Sequence, residues 1–190
     1  MSEENRRESH PKIEPRVYVA SLSDYNAGRL HGVWLDANTD IDELHEAIQT
    51  MLRASPEPIA EEYAIHDYES FGPLRLSEFE SLESVSRIGR GIAEHGLPFA
   101  HWAGLVGTSN SEALDRFEDA YMGHYDDLED YGRSIVEAFG LGEELEEAVP
   151  DLLASYVDID FAGFARDMEI NGQITTSAGE GGIYIFDGTV

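Results

Sequence analysis

The chain has 190 residues, with 39 acidic against 12 basic side chains, a formal net charge of −27 and no cysteine. Nucleic acid and anionic membrane repel such a chain, so a positively charged partner is the expected one, and disulfides and thiolate metal sites are excluded. The N-terminal MSEENRRESHPKIEP has no apolar stretch of the leader type and no run is long enough to span a bilayer, so a cytoplasmic protein is the expectation.

The charge is unevenly spread. Residues 15–70 hold 11 acids and 3 bases, residues 71–107 hold 4 and 3, and residues 108–149 hold 13 and 2. A general adaptation to high salt would spread acids over the whole surface, whereas here two acidic blocks flank a nearly neutral middle.

Residues 1–14 read as a frayed tail. RVYVASL (16–22) is rich in β-formers and SDYNAGR reads as a loop. GVWLDA (32–37) reads as a second strand. Asp40, with Glu43 three residues on, reads as a capping box opening a helix whose apolar stripe is Ile41, Leu44, Ile48, Met51 and Leu52. SPEP (55–58) ends it, and EEYAIHDYE (61–69) reads as a third strand. Ser77 with Glu80 suggests the start of a further helix, carrying Leu82, Val85, Ile88 and Ile92 on one side and stopped by Gly96 and Pro98. Phe99 and Trp102 are expected to pack against it.

Leu114, Phe117 and Tyr121 fit one side of a short helix. In FEDAYMGHYDDLEDYGRSIVEAFG (117–140), Leu128, Tyr131, Ile135 and Phe139 form a helical stripe, Asp126 with Glu129 reads as its capping box, and Gly140 as its stop. The stripe makes this a folded segment and not an acidic tail. Leu141, Leu145 and Val149 are expected inward on the next helix, with Glu143, Glu144, Glu146 and Glu147 outward. VDIDFAGFARDMEI reads as a helix capped by Asp158, and QITTSAGEGGIYIF as a closing hairpin around Gly179–Gly182. The expected fold is α+β: three small units after the tail. These are an N-terminal three-stranded sheet plus helix (15–72), a helical middle (73–107) and a C-terminal α+β domain (108–190).

Chemistry-bearing patterns are weak. Asp36, Asn38, Asp40 and Asp42 resemble half a calcium loop, but Ile41 and Ala47 stand where the turn glycine and bidentate glutamate belong. The seven histidines show no tight ligand spacing. There is no GxSxG, and Gly89-Arg90-Gly91 lacks the third glycine of a dinucleotide loop. A glycosidase needs two carboxyls set apart in a cleft, one of them buried, whereas these acids come in crowds. No catalytic residue, metal ligand or cofactor is expected, and the plain alternative is a solvated acidic face.

Several long motifs in order shift that balance. RVYVASLSDYNAGRLHGVWLDA carries an opening strand–loop–GxW(I/L)DA pattern, and EEYAIHDYESFG resembles EEWAIHDYE with Tyr63 for tryptophan. FEDAYMGHYDDLEDYGRSI is similar to FxxAYxGxYxSLEDFA, and ASYVDIDFAGFARDMEI to YIDYxxFARDLEL with one extra residue between Asp158 and Phe164. Over about residues 16–187 the chain thus resembles the ArdA-type antirestriction proteins.

The resemblance implies an elongated chain of three small domains, dimeric through its C-terminal domain. It implies a stoichiometric inhibitor and not an enzyme: a DNA mimic that occupies the DNA-binding groove of type I restriction–modification enzymes and protects incoming mobile DNA. Duplex DNA carries about one charge per ~1.7 Å of axis, so −27 matches roughly 46 Å of duplex.

The mimic surface it implies is Glu112, Asp115, Glu118, Asp119, Asp126, Asp127, Glu129, Asp130, Glu143, Glu144, Glu146 and Glu147, extended by Asp36, Asp40, Asp42, Glu43, Glu46, Glu61 and Glu62. Phe117, Tyr121 and Tyr125 divide between core packing and a dimer interface. A generic acidic module for another basic protein is the alternative, and a carboxylate hydrolase or calcium-binding domain is a more distant one.

Overall fold

The computed structural model describes residues 13–150, 152–153 and 156–190, without the side chains of residues 143, 145 and 146. The tail expected at 1–14 lies almost wholly outside the described residues. The fold is α+β, in two compact units that meet in sequence between Leu114 and Asp115.

In the first unit, β1 (Arg16–Ser21), β2 (Gly32–Asp36) and β3 (Tyr63–Glu69) form an antiparallel sheet in the order β2-β1-β3. Its helices are α1 (Leu22–Asn26), α2 (Ile41–Arg53), α3 (Leu82–His95), α4 (Leu97–Val106) and α5 (Ser111–Leu114). The central strand buries Val17 and Val19 completely, and α2 lays its buried Leu44, Ile48, Met51 and Leu52 against β1 and β2. Burying each such side chain is worth about 1.5–3 kcal/mol, which outweighs the modest helix propensity of the stretch. Helix α3 approaches the β2–α2 connection closely. Gly89 has no Cβ, and one would collide with the Ala37 carbonyl, while Ser86 Oγ donates to Thr39 O at 2.6 Å.

The second unit contains α6 (Phe117–Ala120), β4 (Tyr121–Tyr125), α7 (Leu128–Ala138), α8 (Leu141–Ala148), α9 (Phe161–Ile170), β5 (Ile174–Gly179) and β6 (Gly182–Asp187). Its sheet runs β4-β6-β5, with β5 and β6 joined as the expected hairpin, Gly179 opposite Gly182. Tyr131, Ala165, Ile174 and Ile185 are the buried centre, flanked by Tyr125, Leu128, Ile135, Met168 and Ile183.

Several expected boundaries move, each for a physical reason. Helix α1 runs from Leu22 into SDYNAGR, because Ser21 Oγ accepts from the Asp24 N–H and caps a turn. Ser77 and Glu80 close a turn ahead of the helix. The Glu78 carbonyl accepts from Ile65 N of β3, holding residues 77–80 off the helical path, and Ser81 caps α3 instead. Pro98 starts a helix and does not end one: it sits in the first turn of α4, where no intrahelical N–H is required.

The short helix of 114–121 is in fact two, α5 and α6, with Tyr121 already in β4. Phe139 follows the last residue of α7 and is 74% exposed, and Leu141 is 46% exposed, so neither points inward. The side chain of Leu145 lies outside the description. Asp158 turns back on its neighbour Ile159, and Asp160 caps α9 through Gly163 N.

Candidate functional site

In the first unit, acids collect where β2 hands over to α2. Asp36 ends β2 and accepts from Asn38 N at 2.8 Å; Asp40 caps α2 by accepting from Asp42 N at 3.0 Å. The capping box is therefore half made, with Glu43 left exposed on the outer face beside Asp42 and Glu46. Side chains three or four positions apart on a helix lie about 5–6 Å from one another, so these three form one patch. Glu61 and Glu62 are exposed too, but elsewhere. They precede Tyr63, which pairs with Ser21, whereas Asp36 pairs with Arg16 at the opposite end of the sheet. None of Asp36, Asp40, Asp42, Glu43, Glu46, Glu61 or Glu62 has a cation within salt-bridge distance among the described residues. The arginines near them pair with other acids, Arg16 with Glu69 at 3.2 Å and Arg29 with Asp24 and Glu57.

Asp24 shows what a structural acid looks like in this protein. It is fully buried, and the Ser55 hydroxyl donates to its Oδ2 at 2.5 Å. That bond holds its pKa below the ordinary carboxylate value against the opposing effect of burial, helped by Ser21, His31 and Arg29. Asp24 falls within SDYNAGR, which reads as a loop. Its only signal was the Ser–x–x–Asp spacing that places a cap.

In the second unit the acids crowd the corner between β4 and α7. The cap is shifted by one residue from the expected pair: Asp127 accepts from Asp130 N at 2.9 Å, and Asp130 reaches back to Asp126 N at 3.2 Å. Glu129 pairs with Arg133 at 2.6 Å, and that guanidinium also lies over the Phe161 ring at 4.5 Å. Four exposed carboxylates thus surround the positive end of one helix, which favours them electrostatically.

Asp115, Glu118 and Asp119 are exposed ahead of β4, and Glu144 and Glu147 along α8; the side chains of Glu143 and Glu146 lie outside the description. Glu112 is exposed on α5, which belongs to the first unit through the Trp102 Nε1–H bond to Ala113 O at 2.9 Å. Glu137 and Asp167, on the mutually packed α7 and α9, are exposed too and lie outside the expected mimic surface.

The aromatics beside this corner serve the interior of their own unit. Phe117 is 4% exposed and stacks on Tyr121 at 5.3 Å; Tyr121 also meets Phe186, and Tyr125 meets Tyr131 edge-on. Burial, with Tyr184 and Tyr125 nearby, pushes the Tyr121 pKa up to about 12. Tyr121 and Tyr125 remain only half-buried on β4, an edge strand.

Among the described residues, no three His, Asp or Glu side chains converge as a metal site, and no helix is long and apolar enough to cross a membrane. What the geometry offers is carboxylates fixed on rigid elements.

A family model described as "Antirestriction protein (ArdA)" matches residues 17–181 of the chain. No curated protein matches it.

Proposed function

The chain belongs to the ArdA antirestriction protein family, and we propose on that premise that it is a stoichiometric DNA mimic. Its target is the DNA-binding groove of a type I restriction–modification enzyme, which it blocks to protect incoming mobile DNA. The observation that carries this reading is the set of exposed carboxylates held on folded elements, without cationic partners among the described residues, at the β2–α2 junction of the first unit. The crowd at the head of α7 in the second unit supports it. A groove lined by Lys and Arg meets there fixed negative charges, with no base edges to read.

On this reading the protein works in the cytoplasm, catalyses nothing, and binds neither nucleic acid nor membrane directly. The three-part layout, 15–72, 73–107 and 108–190, is its working organisation. Two copies associate through the C-terminal part, where half-buried Tyr121 and Tyr125 on edge strand β4 keep surface for a partner while buried Phe117 stacks on Tyr121.

The test is a cleavage assay with a purified type I enzyme. Inhibition is expected to titrate stoichiometrically, to be relieved by excess DNA and to weaken as salt shortens the Debye length from ~10 Å at 0.1 M to ~3 Å at 1 M. Tight binding of the isolated protein to duplex DNA, or multiple turnover, would overturn it.

A further inference from the structure

Beyond the acidic lattice, the first unit has an open sheet edge with a groove beside it. We propose that β2 and α2 together form a docking site for an extended, basic segment of a partner protein, which adds as a fourth strand. The proposal rests on this geometry and not on DNA mimicry.

Ser21 N–H donates to His31 O and Ala37 N–H to Pro15 O. These bonds set the alternation of the β1–β2 pair, turning the backbone groups of Gly32, Trp34 and Asp36 away from β1. No strand pairs with that side of β2 among the described residues. Such an edge is a template for strand addition unless it is blunted.

Alongside runs an open groove of about 630 Å³, lined by Val33, Ala47, Met51 and Ala54 and rimmed by Glu43 and Glu46. Alternate side chains of an added strand would enter it. The groove has a direction. His31 Nε2 lies 2.7 Å from Met51 O at one end, near Arg53, which donates to Thr50 Oγ1. Glu43 and Glu46 mark the other end, towards Asp36. A cationic side chain therefore belongs over Glu43 and Glu46, and small apolar side chains over Ala47 and Ala54.

Charge and shape together decide the occupant. Residues 15–70 hold 11 acids and 3 bases, so two copies of this unit repel while a basic segment is attracted. A second copy's β2 would also bring its own α2, with its Glu43 and Glu46, onto the same face of the joined sheet.

The probe is a fluorescein-labelled peptide, Arg-Thr-Val-Thr-Val-Thr, titrated against the full chain by anisotropy and by amide chemical shifts. Binding is expected with shifts concentrated at Gly32–Asp36, abolished by N-methylating one alternate set of peptide amides and spared by the other set. Glutamate in place of the peptide's arginine should weaken it by about tenfold or more. Glu43→Gln with Glu46→Gln should weaken it by roughly threefold to tenfold. Ala47→Phe, which fills the groove, should abolish it while thermal melts show the fold intact.

Absence of shifts at residues 32–36 with millimolar peptide overturns the proposal, as does indifference to both methylation patterns. Concentration-dependent dimerisation that protects the 32–36 amides also overturns it, since the occupant would then be a second copy.

Discussion

Replacing Asp126, Asp127 and Asp130 with Asn, and Glu129 with Gln, removes four charges from the head of α7 at nearly constant volume. Three of the four acids there have a measurable structural task. Asp127 accepts from Asp130 N at 2.9 Å, Asp130 from Asp126 N at 3.2 Å, and Glu129 holds Arg133 at 2.6 Å. An Asn carbonyl oxygen can make the first two bonds and caps helices nearly as well as Asp. The exposed Glu129–Arg133 pair is worth about 0.3–0.5 kcal/mol, and weakened attraction to the helix dipole adds a similar amount. The summed loss of stability should not exceed about 1–2 kcal/mol.

Binding to a basic groove should lose more. Four exposed carboxylate–cation contacts at roughly 0.2–1 kcal/mol each come to about 1–4 kcal/mol, or roughly fivefold to several-hundredfold in affinity. The measurements are thermal unfolding and sedimentation, with inhibition of type I cleavage on the same samples at low and high salt. A variant that stays folded, keeps its oligomeric state and inhibits as well as the parent would refute the reasoning. The mimic surface would then lie with the acids of residues 36–62.

Phe117→Ala removes a side chain only 4% exposed that stacks on Tyr121; about 3–5 kcal/mol of stability should go with it, read as a lower denaturant midpoint. Gly132→Ala places a methyl against the Phe161 carbonyl. It should cost about 1–3 kcal/mol by forcing α7 and α9 apart, visible as lost amide protection in both helices. Asp24→Asn tests the buried network by its pH dependence. The folded pKa lies below 3.8, so the native state favours the ionised form and gains stability above that value. That stability is lost as pH falls through the folded pKa. The gap between parent and variant in thermal midpoint should be widest near neutrality and close in acid; a gap independent of pH would contradict the assignment.

Some of this protein is written in local sequence. The stripe Leu44–Ile48–Met51–Leu52 and the alternation of Val17 and Val19 are periodicities, and period alone decides which face of a helix or strand meets a core. The outward position of Asp42, Glu43 and Glu46 follows from the same count, as does the hairpin at Gly179–Gly182 from its turn residues. Other features depended on partners distant in the chain. Ser77 and Glu80 have the spacing of a cap, but β3 takes the Glu78 carbonyl and the helix waits until Leu82. Asp127 caps α7 in place of Asp126, its backbone still extended where the chain leaves β4, the strand paired with β6.

Gly89 and Gly132 look like weak points in their helices until the Ala37 and Phe161 carbonyls arrive against them. Glu61 and Asp36 belong to the same acidic block, yet the antiparallel order β2-β1-β3 sets them at opposite ends of the sheet. Local patterning acts over one turn or one pleat, and so it settles which residues are charged, exposed or buried. Which of the exposed charges become neighbours is a matter of strand order and helix approach, set by contacts between residues far apart in the chain.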